Sequence, residues 1–164
     1  MTESLSVPAP PASAPPPEPW ASWGRRALAL LLDIGLQLPF IVVSAMIGSV
    51  ARDPDTGTVS LIICGLLSLV VTLASLVFSI WNSIVRQGRK GASLGKQACG
   101  ILVLSLNDAR PVGALTTFIR SLMHVVDVLS LGVGYLWPLW DTRRQTFADK
   151  IMNTGVLYLP DVRF

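Results

Sequence analysis

Charged residues are scarce in this sequence. They make up 14% of its 164 residues, whereas about 25% is usual in a soluble domain. Hydrophobic residues account for 51%, and the mean hydropathy is +0.57. This composition excludes an ordinary soluble domain and indicates an integral membrane protein whose first partner is the lipid bilayer. In a membrane protein, the formal charge of +3 reflects the distribution of cations between the two sides of the membrane and does not indicate nucleic-acid binding. We therefore expect no nucleic-acid partner.

Histidine and cysteine are almost absent, since His124 stands alone and only Cys64 and Cys99 could form a disulfide. Cys64 lies in an apolar run, where a small packing residue is the better interpretation. We find no Cys/His metal set, no nucleophile–base pair and no glycine-rich nucleotide loop. The segment from Gly91 to Lys96 fails as a P-loop because too few residues separate its glycines. The sequence therefore predicts no catalytic, metal or cofactor site, and no enzyme.

Residues 1–22 are rich in proline and alanine and lack the basic and apolar regions of a signal peptide. Such a segment cannot bury a core, so we expect a disordered cytoplasmic tail. Residues 23–160 are expected to form one membrane domain. It opens with Trp23 and two arginines, a combination typical of a bilayer interface.

Two apolar runs, residues 24–50 and 59–85, are long enough to cross a bilayer, for which about 20 residues suffice. Arg26, Asp33 and Gln37 share one face of the first run, and Pro39 is expected to kink it. A carboxylate inside a spanning helix costs about 2.5–3.5 kcal/mol and usually has a partner. The second run carries its small and polar residues on one face, and we expect that face to pack against Asp33. That stripe comprises Cys64, Gly65, Ser68, Thr72, Ser75, Ser79 and Asn82.

Residues 86–112 are predicted to hold a basic loop and a strand. The loop cations Arg86, Arg89, Lys90 and Lys96 place this loop and the N-terminus in the cytoplasm by the positive-inside rule, and an anionic-lipid contact is an alternative role for them. Short β-like runs at 101–106 and 155–159 are expected to pair with each other on the cytoplasmic side.

The third apolar region, residues 115–140, carries Arg120, His124 and Asp127 on one face, which repeats the Arg26–Asp33 spacing. It either spans once or turns back near Gly132. We favour a re-entrant or helical-hairpin structure, because it returns the cations that follow to the cytoplasm. Residues 141–160 are expected to form an amphipathic helix and the second strand. The predicted fold class is thus an all-α membrane protein with a small β pairing.

Three motifs in order carry a family resemblance: Trp23-x-Arg-Arg-x-x-Ala-x-x-x-Asp33, Gly91-x-Ser93-x-Gly95-Lys96, and Trp140-Asp-x-Arg143-Arg144-Gln-Thr-x-x-Asp149-Lys. They resemble the RDD family of bacterial membrane proteins, named for one arginine and two aspartates. The resemblance implies that Arg26, Asp33 and Asp149 are these residues and that the protein lies in the bacterial cell membrane. Where the family usually has His before the last aspartate, this chain has Ala148, so a proton relay through that His is ruled out.

The resemblance implies a role in transport, since some family members are similar to sodium/proton antiporters. In the first hypothesis, an ion or small solute passes along a polar cluster of Arg26, Asp33, Gln37, Arg120, His124, Asp127 and Asp149. Few spanning helices are predicted, so this hypothesis also requires a homo-oligomer. In the alternative, the protein is a non-transporting scaffold or assembly subunit whose buried charges fix helix packing. We further expect Arg26 to be shared between Asp33 in the membrane and Asp149 at the interface.

Overall fold

The computed structural model describes residues 19–160. The helices are α1 (Trp23–Gly35), α2 (Leu38–Ala51), α3 (Thr58–Ile80), α4 (Gln87–Lys90), α5 (Leu94–Ala98), α6 (Ala114–Leu129), α7 (Val133–Leu136) and α8 (Phe147–Ile151). A π-helical segment (Trp81–Arg86) joins α3 to α4, and a 3-10 turn (Trp137–Leu139) follows α7. Strands β1 (Ile101–Ser105) and β2 (Thr154–Tyr158) complete the fold. The predicted class, mostly helical with a small β pairing, is confirmed.

The first helical segment, Trp23–Ala51, is long and apolar enough to span a membrane. It is broken at Leu36 and Gln37 into α1 and α2, which the predicted span of 24–50 treated as one kinked helix. Pro39 lies in the first turn of α2, where its missing N–H has no partner to lose. The helix is thus interrupted near Gln37, where the kink is predicted, while α1 and α2 together still form one segment long enough to span.

The second spanning segment runs from Thr58 to Lys90 and extends five residues beyond the predicted 59–85. Its π-helical segment (Trp81–Arg86) adds one residue to a turn, and both Asn82 and Arg86 are buried there. The start of the predicted basic loop, from Arg86 to Lys90, is thus helical. No residue of α2 or α3 is buried, as expected for helices that face lipid.

The third apolar region consists of α6 followed by α7 and the 3-10 turn, which bend away by 106°. This bend excludes one straight span through residues 115–140. The turn uses Leu131 and Gly132, both with positive φ. The amphipathic helix predicted within residues 141–160 is limited to α8, because a loop precedes it and β2 begins at Thr154.

The predicted strand pairing is confirmed: β1 and β2 are antiparallel, with Val103 opposite Val156. The prediction that residues 1–22 form a disordered tail is wrong for Trp20 and Ala21, which pair with β2. Trp20 forms a bridge with Leu157, and the Ala21 N–H donates to the Val156 carbonyl at 2.9 Å. Residues 1–18, the rest of that predicted tail, lie outside the described residues. The edge of β2 is covered because these backbone groups pair there.

A small core lies between the sheet and the start of α1. Its buried members are Ala21, Ala29, Cys99, Ile101, Val103 and Val156. The core holds the sheet against the same end of α1 that carries Arg26.

Candidate functional site

Asp149 is the centre of a buried cluster of charges. Its side chain is fully buried, and it accepts a hydrogen bond from Arg26 Nη1 at 2.8 Å and from Arg120 Nε at 2.9 Å. Arg120 Nη2 donates to the same carboxylate. The Thr154 hydroxyl donates at 3.2 Å. Two helices distant in sequence, α1 and α6, are therefore tied to one carboxylate.

The local sequence fixes Asp149 in this place. Thr146 caps α8, and the Asp149 side chain accepts in return from the Thr146 N–H at 3.2 Å, which completes a capping box. Burial by itself raises the pKa of the Asp149 carboxyl. The charges of Arg120 and Arg26 outweigh burial, and the pKa lies well below its usual range. Asp149 is thus held as a carboxylate.

Asp33 belongs to a second group, formed with the loop that precedes α5. Its Oδ1 accepts from Asn82 Nδ2 and from the Gly95 N–H, both at 2.8 Å, and its Oδ2 accepts from Ser93 Oγ at 2.5 Å. A Cβ at Gly95 would overlap the Ala29 carbonyl oxygen. Glycine at this position lets α5 lie directly against α1.

The expected sharing of Arg26 between two aspartates is only half right. Arg26 bonds Asp149, but its Nε and Nη2 have no partner among the described residues, and Asp33 is saturated by other donors. Arg26 and Asp33 are two turns apart on one helix, about 10 Å along its axis. The short loop before α5 occupies the space in front of Asp33.

Gly91 begins the loop that precedes α5, and Lys96 lies within α5. Gly91 ends α4 in a left-handed conformation with φ 77°, and its carbonyl accepts from the Val103 N–H at 2.7 Å. The partly buried Lys96 donates from Nζ to Gln87 Oε1. Burial and, next in size, the charge of Arg120 together lower the pKa of the Lys96 amine to about 7.

Arg120, His124 and Asp127 lie along α6 as predicted. Asp127 is fully buried and accepts from the Phe147 N–H in the first turn of α8 at 3.0 Å. His124 Nδ1 lies 2.6 Å from Asp127 Oδ2, and its ring stacks on Tyr135. This group therefore orients α8, which carries Asp149.

Gln37 lies at the break between α1 and α2 and joins α3. Its Oε1 accepts from Ser75 Oγ at 2.9 Å, and its Nε2 donates to Ser79 Oγ. A groove of about 240 Å³ between α2 and α3 continues from Ser75, and it is lined by Phe40, Ile41, Ser44, Val71, Thr72 and Ser75. The polar stripe predicted on the second span thus meets Gln37 and Asp33.

Two predicted residues lie outside the cluster. Arg143 and Arg144 are exposed, and their backbone N–H groups bond Asp141. The sequence predicts Arg86 as a cation of the basic loop, but it is buried and donates to the Ala92 carbonyl at 2.5 Å and to Gln97. No pattern in the sequence marks Arg86 as buried, because the π-helical turn that rotates it inward leaves no periodic signal.

The sequence profile of the RDD family matches residues 20–153. The chain belongs to the RDD family. It is 31% identical over 152 residues to the "Proline-rich antigen homolog" of Mycobacterium tuberculosis, found in two strains. That match covers 85% of this chain and 63% of the relative. The "Proline-rich antigen" of Mycobacterium leprae is 41% identical over 85 residues, which cover 52% of this chain and 34% of that protein.

No solved structure matches the chain. This RDD protein spans less than two thirds of the length of its mycobacterial relatives, whose names state no activity. The match to the RDD family and the two long apolar helices together identify a bacterial membrane protein. Of the three residues that the resemblance assigns to the family motif, Arg26 and Asp33 lie near opposite ends of α1, and Asp149 lies in α8. Arg26 and Asp149 are bonded to each other, and Asp33 holds α5.

Proposed function

We propose that this RDD protein moves a proton or a small cation across the cell membrane. The observation that carries the proposal is a row of oxygen-bearing side chains between apolar helices, made of two hydrogen-bonded groups. It runs from Asp33 and Asn82 through Gln37 to Ser75 and into the groove between α2 and α3. Carboxylate, amide and hydroxyl oxygens suit hard cations.

The length of the row supports this proposal. Thr72 and Asn82 are ten residues apart on one helical segment, which corresponds to about 15 Å. A hydrocarbon core is about 30 Å thick, so the polar side chains line roughly half of it. Polar residues in spanning helices usually face a bundle interior or a pathway, because each one is costly against lipid.

The proposed arrangement is multi-pass with the N-terminus in the cytoplasm. Arg89 and Lys90 are exposed at the end of the second span and carry the positive-inside bias. They are also the loop cations free to contact anionic lipid, whereas Arg86 is turned inward. Two spans and one bent pair enclose little space, so we include a homo-oligomer in the proposal.

Ion flux in proteoliposomes tests the proposal. Gln37→Leu removes the link between α1 and α3 without touching α5, and Ser75→Ala removes its partner. We expect both to reduce sodium, potassium or proton flux at least about tenfold. Ser49→Ala is the matched control, because Ser49 bonds only the Met46 carbonyl of its own helix. Equal flux in all four proteins would overturn a pathway along this row.

A structural role is the second candidate, and the saturation of Asp149 favours it. Four residues donate to this carboxylate, which suits a group that fixes packing. In that case Asp33→Asn and Asp149→Asn would lower the amount of folded protein, and no ion would show protein-dependent flux. We propose no enzymatic role in either case.

A further inference from the structure

Two segments of the chain have the same local structure. Ser93 and Thr146 each cap a five-residue helix and accept from the backbone N–H three residues later. Each helix is followed by one residue with positive φ, Gly100 or Asn153, and then by a five-residue strand. Every element of the second segment lies 53 positions after its counterpart in the first.

The strand register relates these two segments by a two-fold axis. Ile101 pairs with Tyr158, and their counterparts Thr154 and Ser105 pair with each other, so the axis passes by Val103. The helices that carry Arg and Asp, α1 and α6, lie 94 rather than 53 positions apart, but they make the same contact to the two segments. Asp33 of α1 accepts from a backbone N–H in the first turn of α5, and Asp127 of α6 accepts from one in the first turn of α8.

The chain therefore contains two copies of one unit, a helix with Arg and Asp followed by a short helix and a strand. In the second copy, Arg120 bonds Asp149 of the same copy. The counterpart of Asp149 in the first copy is Lys96, a cation, which cannot pair with Arg26. Arg26 instead reaches across the axis to Asp149. The Asp149 carboxylate therefore bonds both arginines, and the equivalent position in the first copy is occupied by the Lys96 amine.

We propose that Lys96 is the residue through which this cluster releases and takes up a proton. On release, the Nζ–H bond breaks, the electron pair stays on nitrogen and the proton passes to water; uptake is the reverse. Coupling of this step to flux rests on the proposed function. Sites at the junction of two repeats are a common arrangement in transporters.

Charged groups on three helices act on the Lys96 amine. Arg26 and Asp33 lie on α1, Arg120 on α6 and Asp149 on α8. Gln87 of α4 accepts from the amine, and the nearby Arg86 bonds Gln97, the residue after Lys96. The surrounding arginines offset the two carboxylates, so the protonated amine has no net countercharge.

The carboxylate of Asp149 is unsuited to this task, because two arginines hold it ionised. Lys96 Nζ bonds one neutral amide oxygen among the described residues. Its pKa of about 7, lowered by burial from an ordinary value near 10.4, places proton exchange at neutral pH.

Carbon-13 NMR of lysine side chains in the intact protein tests the assignment. The chain has three lysines, and Lys90→Arg and Lys150→Arg assign the signals of the two exposed ones. The remaining signal belongs to Lys96, so no substitution of Lys96 itself is needed. We expect the midpoint of the Lys96 signal near pH 7. A midpoint near pH 10 for Lys96 would overturn the proposal.

Flux measured against pH then tests the coupling. We expect Lys96→Gln and Lys96→Arg to abolish the change in flux between pH 6 and pH 8, while Lys90→Gln keeps the wild-type profile. Flux with an unchanged profile in both Lys96 variants would refute the role of Lys96 and leave transport standing. A Lys96 midpoint near 7 without any flux would refute transport and leave the proton site standing.

Discussion

Arg26 and Asp149 are separated by 123 residues, yet Arg26 Nη1 lies 2.8 Å from Asp149 Oδ2 in a buried ion pair. Arg120 completes the pair from the opposite side of the carboxylate. The contact closes the chain into a unit in which α1, α6 and α8 meet at one point. If the Asp149 carboxylate is removed, Arg26 and Arg120 remain as two buried cations. If either arginine is removed, Asp149 still forms an ion pair with the other arginine. Asp149 is therefore the most sensitive position of the three.

Asp149→Asn is expected to destabilise the protein by about 3–5 kcal/mol, because a buried ion pair that loses one partner leaves uncompensated charge. Arg26→Gln and Arg120→Gln should each cost less. Thermal unfolding in detergent measures the order, with Asp55→Asn in the exposed loop before α3 as the control. An Asp149→Asn protein as stable as wild type would contradict the central place of this carboxylate.

The stability of the protein should depend on Asp149 in acid. Its pKa in the folded protein lies below the unfolded value of about 3.9, so the unfolded state binds a proton first as pH falls. The contribution of Asp149 is complete above about pH 5 and is lost progressively below pH 4. The difference in melting temperature between wild type and Asp149→Asn should therefore shrink in acid. A constant difference down to pH 3 would show that the carboxylate is not held ionised.

The sequence predicts the framework of the fold better than the contacts of its charges. Hydropathy marks both spans, and the helical periodicity places Gln37 and Asp33 on the face that meets Ser75 and Asn82. The β pairing follows from two short runs whose backbone groups need partners. These features are predictable because each depends on a regular pattern of apolar and polar residues.

The partners of the charges depend on elements that fold back across the chain. Helical spacing shows that Arg26 and Asp33 share a face, but it does not show that the loop before α5 fills the space beside Asp33. The burial of Arg86 depends on one extra residue in a helical turn. Tertiary contacts of this kind leave no periodic signal.

Gly95→Ala tests the close approach of α5 and α1. A methyl group at Gly95 would overlap the Ala29 carbonyl oxygen and lie 2.9 Å from the Asp33 N atom, so backbone must move. We expect a loss of about 1–3 kcal/mol, the usual cost of overpacking. Gly65→Ala on α3 is the matched control, since a Cβ there meets nothing within 4 Å and alanine favours a helix.

The outcome is measured by thermal unfolding and by amide exchange at Leu94 and Gly95. Faster exchange in Gly95→Ala would show that α5 has moved from Asp33. Equal stability of the two alanine variants would contradict the contact.

Ser93→Ala tests how Asp33 holds the loop. The Ser93 hydroxyl donates to Asp33 Oδ2 and accepts from the Lys96 N–H, so it joins the carboxylate to the helix cap. Loss of a serine cap costs about 1 kcal/mol, and a lost hydrogen bond to a charged group adds about 1.5–3 kcal/mol. Because the Ser93–Asp33 hydrogen bond is lost in either single variant, the double variant with Asp33→Asn should cost clearly less than the two single variants together. Additive costs would show that the two residues act separately.

Cysteine labelling tests the proposed sidedness with residues that the structure shows to be exposed. Thr142 lies in the loop before α8, and Asp55 lies in the loop between the two spans. With Cys64 and Cys99 replaced by serine, we expect Asp55→Cys to react with an impermeant maleimide from outside intact cells. Thr142→Cys should react only after lysis, because the proposed arrangement has α7 return the chain to the side of the N-terminus. Labelling of both from outside would contradict the hairpin arrangement of α6 and α7, whatever the outcome of the flux measurements.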